Sequence, residues 1–153
     1  MAQYELRPHS GVGPVLLGMT RKAVHAAMGE TPVPFQRGGL DGSETEAYLG
    51  ASFQVTYDRD GRVEFIELAR DPALSAIYHG HDLLTIAAQE AVDLLARDAP
   101  FDPDDPELGY AYIFPALDLS LWRETMPEDD ADPDGRTFDA VGLDIPDYFK
   151  GLG

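Results

Sequence analysis

No cysteine occurs in this chain of 153 residues. That removes disulfides, thiolate metal sites and cysteine nucleophiles together. Cationic side chains are scarce as well: 11 Lys and Arg stand against 28 Asp and Glu, for a formal net charge of −17. The imbalance is uneven. Residues 1–75 hold 10 acidic and 7 basic residues, a net of −3, whereas residues 76–153 hold 18 acidic and 4 basic, a net of −14. Nucleic acid and anionic membrane both require cationic side chains to displace counterions, so neither is an expected partner. A cationic protein is attracted instead, and its encounter is accelerated. No apolar run reaches the length of a membrane helix. The start, Met1-Ala2-Gln3-Tyr4-Glu5-Leu6, has neither a basic n-region nor an apolar h-region. No secretory signal is therefore expected, and the expected compartment is the cytoplasm.

Several catalytic signatures are missing too. None of Ser10, Ser43, Ser52, Ser75 and Ser120 lies in a Gly-x-Ser-x-Gly elbow. There is no Gly-x-Gly-x-x-Gly turn for a dinucleotide and no phosphate-binding Gly-Lys-Ser/Thr loop, so no cofactor is implied.

What is present is ordinary globular material. The hydrophobic fraction is 44%, and a chain of this size buries roughly two thirds of its unfolded surface in one domain, residues 1–153. Its pattern is doubled. Ala47-Tyr48-Leu49, Phe53-Gln54-Val55-Thr56-Tyr57 and Asp60-Gly61-Arg62 recur in outline as Ala111-Tyr112-Ile113, Leu117-Asp118-Leu119-Ser120-Leu121 and Asp134-Gly135-Arg136. Thr20 to Thr85 is an offset of 65, Tyr48 to Tyr112 and Phe53 to Leu117 are offsets of 64, and Gly61 to Gly135 is one of 74. The second copy therefore carries its extra length in the loop 124–135. Two pseudo-repeats follow, about 12–70 and about 76–147.

Each copy reads as a helix and three strands. Thr20 caps a helix over about Arg21 to Met28, which Gly29 closes as a left-handed residue. Phe53 to Tyr57 alternates apolar with polar, Asp58-Arg59-Asp60-Gly61 turns the hairpin, and Arg62 to Leu68 returns. Val63 and Phe65 continue the alternation but Ile66 and Leu68 change phase, which predicts a bulge or a strand buried on both faces. Thr85 is read as the cap of a second helix to about Asp98, with Ala88, Ala91, Val92 and Leu95 as its buried stripe. Tyr110 to Phe114 and Leu117 to Arg123 pair across Pro115-Ala116, and Phe138 to Leu143 is the last strand. Tyr4-Glu5-Leu6 reads as a short edge strand, 35–43 as a glycine-rich loop, and Tyr148 and Phe149 as a C-terminal tether. The expected fold class is α+β: two helix-βββ pseudo-repeats in one antiparallel sheet, or in two abutting sheets, with both helices packed on one face.

Three tracts carry candidate chemistry. Asp130-Ala131-Asp132-Pro133-Asp134-Gly135 matches the opening of a calcium loop, with oxygen ligands at alternate positions and a glycine at the turn. The match fails at the twelfth position, Val141, where a bidentate glutamate belongs. Its counterpart in the first copy is the plain hairpin turn at Asp58 to Gly61. His79-Gly80-His81-Asp82 offers two imidazoles but no identifiable third ligand. Asp130, Asp132, Asp134, His79 and His81 are therefore only weak metal candidates. The third tract is the acid itself: Asp102, Asp104, Asp105 and Glu107 in one loop, Asp129, Asp130 and Asp132 in another. Such runs ordinarily form solvated loops. Tyr110, Tyr112 and Trp122 lie close by, however, and aromatic anchors with a charged rim suit a protein interface. Alternation places Trp122 opposite the leucine stripe, which makes it the exposed member.

Val15-Leu16-Leu17-Gly18-Met19-Thr20-Arg21-Lys22-Ala23-Val24, closing at Gly29, resembles the "L-G-M-T, helix, G" opening of outer-membrane assembly lipoproteins of the SmpA/OmlA type. It is also similar to the repeat unit of the β-lactamase inhibitor proteins, which are tandem helix-plus-sheet duplications. The signature spans residues 15–29 and implies a fold, not an activity. The acidic, cysteine-free character is similar to that of immunity proteins that neutralise basic toxins. The expected role is a non-enzymatic protein-binding module that occludes a cationic partner through Asp102, Asp104, Asp105, Trp122, Asp129, Asp130 and Asp132. The alternative is a small-molecule or divalent-metal-binding domain, or an enzyme, using a cleft between the repeats.

Overall fold

A computed structural model describes residues 2–35, 44–129, 132 and 135–145. The loop 36–43, the acidic residues Asp130 and Asp134, and the C-terminal Tyr148 and Phe149 lie outside the described residues. The architecture is mixed α+β, with two helices and two sheets.

The smaller sheet holds β1 (Ala2–Arg7), β2 (Gly11–Val12), β3 (Val15–Leu16), β8 (Leu74–Tyr78) and β9 (His81–Asp82), in the order β3-β2-β1-β8-β9. Here the structure corrects the reading of Tyr4 to Leu6 as an edge strand. β1 is internal and runs parallel to β8, with Ala2 opposite Leu74 and Glu5 opposite Ile77. The partner is remote in sequence, so no local pattern could reveal it.

The larger sheet is antiparallel, in the order β10-β11-β12-β7-β6-β5-β4. Its strands are β4 (Val33–Phe35), β5 (Glu44–Tyr48), β6 (Phe53–Tyr57), β7 (Val63–Ala69), β10 (Ala111–Phe114), β11 (Leu119–Trp122) and β12 (Ala140–Asp144). Strands β4 to β7 come from the first half of the chain, β10 to β12 from the second, and they meet where β12 pairs with β7. The anticipated phase change is a bulge. Tyr57 pairs with Val63 while Thr56 pairs with Phe65, leaving Glu64 as the extra residue. Val63, Ile66 and Leu68 thereby reach the same buried side.

Helix α1 (Arg21–Met28) is built as its sequence indicates. Thr20 Oγ1 accepts from Ala23 N–H at 3.2 Å, and Gly29 closes the helix at φ 70°. Helix α2 (Ala88–Ala96) corrects another expectation, because Thr85 does not cap it. The Thr85 hydroxyl turns back to the Asp82 carbonyl, and Ala87 holds the N-cap position without a side-chain bond. The first N–H of α2, on Ala88, instead donates to the Arg136 carbonyl at 2.7 Å. A loop of the second half thus supplies the acceptor that threonine was expected to give.

Val24 of α1 and Ala91, Val92 and Leu95 of α2 belong to one buried cluster with Tyr48, Phe53, Val55, Ile66, Leu68, Leu119, Leu121, Val141 and Leu143 of the larger sheet. Leu6, Val12, Leu74 and Tyr78 of the smaller sheet join the same cluster. The opposite face of the larger sheet is built differently. Ala69, Ala111, Ala140, Ser120 and Gly142 share it with Trp122, by the register of β10, β11, β12 and β7.

Candidate docking surface

The first acidic loop, 101–110, follows from its prolines and aspartates. Pro103 and Pro106 deny it regular pairing. Asp102 and Asp105 each accept, at 2.9 Å, from the backbone N–H two residues on, on Asp104 and Glu107. These are Asx turns, which short carboxylates favour. The loop lies along β10, the outermost strand of the larger sheet: Asp102 N–H donates to Ile113 O at 2.8 Å, and Leu108 bridges to Ala111. An otherwise open sheet edge is thereby covered. Asp102 and Asp105 are half-buried in consequence, while Asp104 and Glu107 are exposed.

The second acidic loop joins β11 to β12. Asp139 anchors its two ends, accepting from Glu124 N–H at 2.8 Å and from Arg70 Nη2 at 2.8 Å. Arg70 also donates to Thr137 Oγ1. Within the loop Asp132 Oδ2 accepts from Glu128 N–H at 2.8 Å, and Asp132 O accepts from Arg136 Nε at 2.8 Å. Asp132 is half-buried and Asp129 exposed.

One side chain ties the loops to each other. Arg123, only 8% exposed, donates from Nε to Gly109 O at 2.8 Å and from Nη1 to Gly135 O at 2.7 Å. Its guanidinium carbon lies 5.4 Å from the centre of the Phe138 ring. Its own N–H donates to Tyr110 O at 2.8 Å. A planar, permanently charged fork suits this place, where two carbonyls from different loops converge on one group. Sequence reasoning missed Arg123, although the charge count held a signal: it is one of 4 basic residues in the acidic half. The glycines it binds are tightly packed. A Cβ at Gly135 would meet Thr125 O at 2.0 Å, and one at Gly109 would meet Met126 Sδ at 2.8 Å.

Around this clamp several large apolar side chains reach the surface. Trp122 is 44% exposed, as its position opposite the leucine stripe indicates, and Leu108, Tyr110 and Met126 are exposed with it. Tyr112 turns inward, with its ring 5.2 Å from Phe101 and 5.8 Å from Phe138. A groove of about 480 Å³, lined by Gln89, Arg123, Pro127, Asp129 and Arg136 among others, runs between the start of α2 and the second loop.

The other tracts carry less. His79 lies in the β8–β9 turn and His81 opens β9. His79 Nε2 is 3.0 Å from Asp98 Oδ2, and the Tyr78 hydroxyl donates to the same carboxylate. These two partners hold Asp98 below the usual carboxylate range. Among the described residues no three His, Asp or Glu side chains converge as a metal site. A polar network unread from sequence joins α1 to β5. His25 Nε2 contacts both oxygens of buried Glu46, at 2.8 and 3.0 Å, and Arg21 reaches Glu44 at 2.9 Å. Burial, then the Glu46 carboxylate, pushes the Tyr48 hydroxyl up to about 12. The Arg21 guanidinium lies 4.7 Å from the Tyr57 ring centre. These contacts tie a helix to a sheet.

No helix among the described residues is long and apolar enough to cross a membrane. No family model, curated protein or solved structure matches this chain.

Proposed function

We propose that this is a non-enzymatic, cytoplasmic binding module that occludes a cationic protein, as an immunity or inhibitor protein does. It is read as two helix-plus-sheet pseudo-repeats, the second of which carries the docking surface. One observation supports this above the others. Among the described residues, four of the six large hydrophobic side chains that are exposed are Leu108, Tyr110, Trp122 and Met126. All four lie on or between the two acidic loops that Arg123 fastens together. Apolar anchors within a charged rim are the composition of a protein interface, and a rim of one sign selects its partner by charge. Asp104 and Asp129 supply exposed rim charge, and Asp102, Asp105 and Asp132 shape the loops that present it. Asp130 belongs to the same proposal by sequence.

The test is recovery of a basic protein from the source cell, followed by measurement with both purified proteins. Affinity should fall with rising salt and fall about tenfold or more in Trp122→Ala, as for an interface anchor. Binding indifferent to both changes would falsify the reading.

A further inference from the structure

We propose that the groove between the start of α2 and the second acidic loop binds one small oxyanion, a carboxylate or phosphate group. Arg123, Arg136 and the first-turn amides of α2 would hold it. The inference does not rest on the docking proposal, because it needs no protein partner.

A buried cation without a counter-charge carries it. Arg123 is 8% exposed. Its Nε and Nη1 donate to the Gly109 and Gly135 carbonyls, and the Phe138 ring lies beside it. No carboxylate meets its guanidinium among the described residues, and Nη2 has no acceptor there. A full charge buried against neutral dipoles alone is costly, and such groups are ordinarily paired. Arg123 lines the groove, so the missing charge can arrive from solvent.

The helix end points the same way independently. Ala87 stands at the N-cap with no side chain to offer, and the Thr85 hydroxyl turns back to Asp82. Ala88 N–H is taken by the Arg136 carbonyl. The next two amides, on Gln89 and Glu90, have no acceptor among the described residues. Gln89 borders the groove together with Arg123 and Arg136. Open N–H groups at a helix start carry partial positive charge and favour an anion. The Glu90 side chain borders a separate hollow with His81, Asp93 and Arg97, so it does not fill the groove.

Charge placement fits a small ligand. Two of the 4 basic residues in 76–153 line this one groove. Guanidinium and amide donors together match the oxygens of a carboxylate or phosphate. The acidic surroundings repel a polyanion along its length, whereas a small oxyanion meets only the groove. Charges farther away than about 8 Å are largely screened at physiological salt. Asp129 is the one carboxylate among the described lining residues. It opposes an anion at close range, so neutralising it should strengthen binding.

The test is nitrogen-edited NMR of the unaltered protein, titrated with inorganic phosphate and separately with acetate, against sodium chloride at matched ionic strength. Saturating shifts at the Gln89 and Glu90 amides and at Arg123 Nε–H are expected with at least one of the two. Saturation by phosphate alone assigns a phosphate ligand, by acetate alone a carboxylate, and by both an oxyanion of either kind. Shifts that stay linear with both, or that chloride reproduces, overturn the proposal. Ala87→Asp puts a carboxylate at the N-cap, where it takes the same amides. It should melt no lower than the unaltered protein and bind the anion about tenfold more weakly or worse. Arg136→Gln should also weaken binding about tenfold, and Asp129→Asn should strengthen it severalfold. Ala87→Asp binding as tightly as the unaltered protein, or Asp129→Asn binding more weakly, overturns the site. All three substitutions lie at exposed positions and leave the Arg123 side chain in place.

Discussion

The β6–β7 turn and the β11–β12 connection both contain a left-handed glycine followed by an arginine, and they differ in how that glycine is packed. In the first, Gly61 adopts φ 76° with open space where a Cβ would stand. Asp58 organises the turn itself, accepting from Asp60 N–H and Arg62 N–H. In the second, Gly135 adopts φ 78° but is wedged against the Thr125 carbonyl and bound by Arg123. The backbone requirement is shared, and the tertiary role is not. Both are joined to the start of a helix, the first through Thr20, Gly18 and Met19 ahead of α1 and the second through Arg136 at α2, but the long connection is also fastened to a second loop. That contrast is the physical reason to look for function in the second half.

Substitutions in matched positions can break this contrast. Arg123→Met should have the largest effect. It strands the Gly109 and Gly135 carbonyls and should destabilise the protein by on the order of 4 kcal/mol in denaturant unfolding. Arg62→Met, whose exposed guanidinium reaches Gly18 O, should cost under about 1 kcal/mol. Next comes the glycine pair. Gly135→Ala combines a left-handed backbone with a steric clash and should cost about 3 kcal/mol, whereas Gly61→Ala should cost about 1. Equal losses would mean that the second connection is no more tightly packed than the first. Burial, then Asp118, then Glu64 and Glu67, push the Asp144 carboxyl up to about 7, so stability should fall as pH rises from about 4 through 7. Asp144→Asn should remove on the order of 2 kcal/mol of that fall, read from unfolding curves across the range. Smallest is the pair of threonines. Thr20→Ala should cost about 1 kcal/mol through the lost cap of α1, and Thr85→Ala under about 0.5.

The threonine pair also shows where sequence reading succeeds and where it stops. Thr20, Gly29, the Asp58 to Gly61 turn and the change of phase at Glu64 are local devices, and a few neighbouring residues suffice to specify them. Thr85 has the same local appearance as Thr20, but the acceptor at the start of α2 arrives from Arg136, far along the chain. The parallel pairing of β1 with β8 is invisible for the same reason. Within the candidate docking surface, alternation along β11 was enough to expose Trp122 and bury Leu119 and Leu121. It could not show that Asp102 and Asp105 direct an oxygen into their own loop, or that Arg123 holds both loops. Those facts depend on which carbonyls converge in space. The burial of Asp118 and Asp144 likewise arises where the turn after β10 meets the end of β12, and neither residue lies in a recognisable motif.

The most direct experiment is the salt dependence of binding between this protein and a basic partner purified from the source cell, carried out alongside Trp122→Ala. A docking surface of apolar anchors in an acidic rim should lose affinity steeply as salt rises, and about tenfold or more on loss of the indole. Val33→Ser, at the opposite edge of the larger sheet, should bind as the unaltered protein does. A partner held equally well at all salt concentrations and by Trp122→Ala would place the interface elsewhere and contradict the assignment of function to the second half.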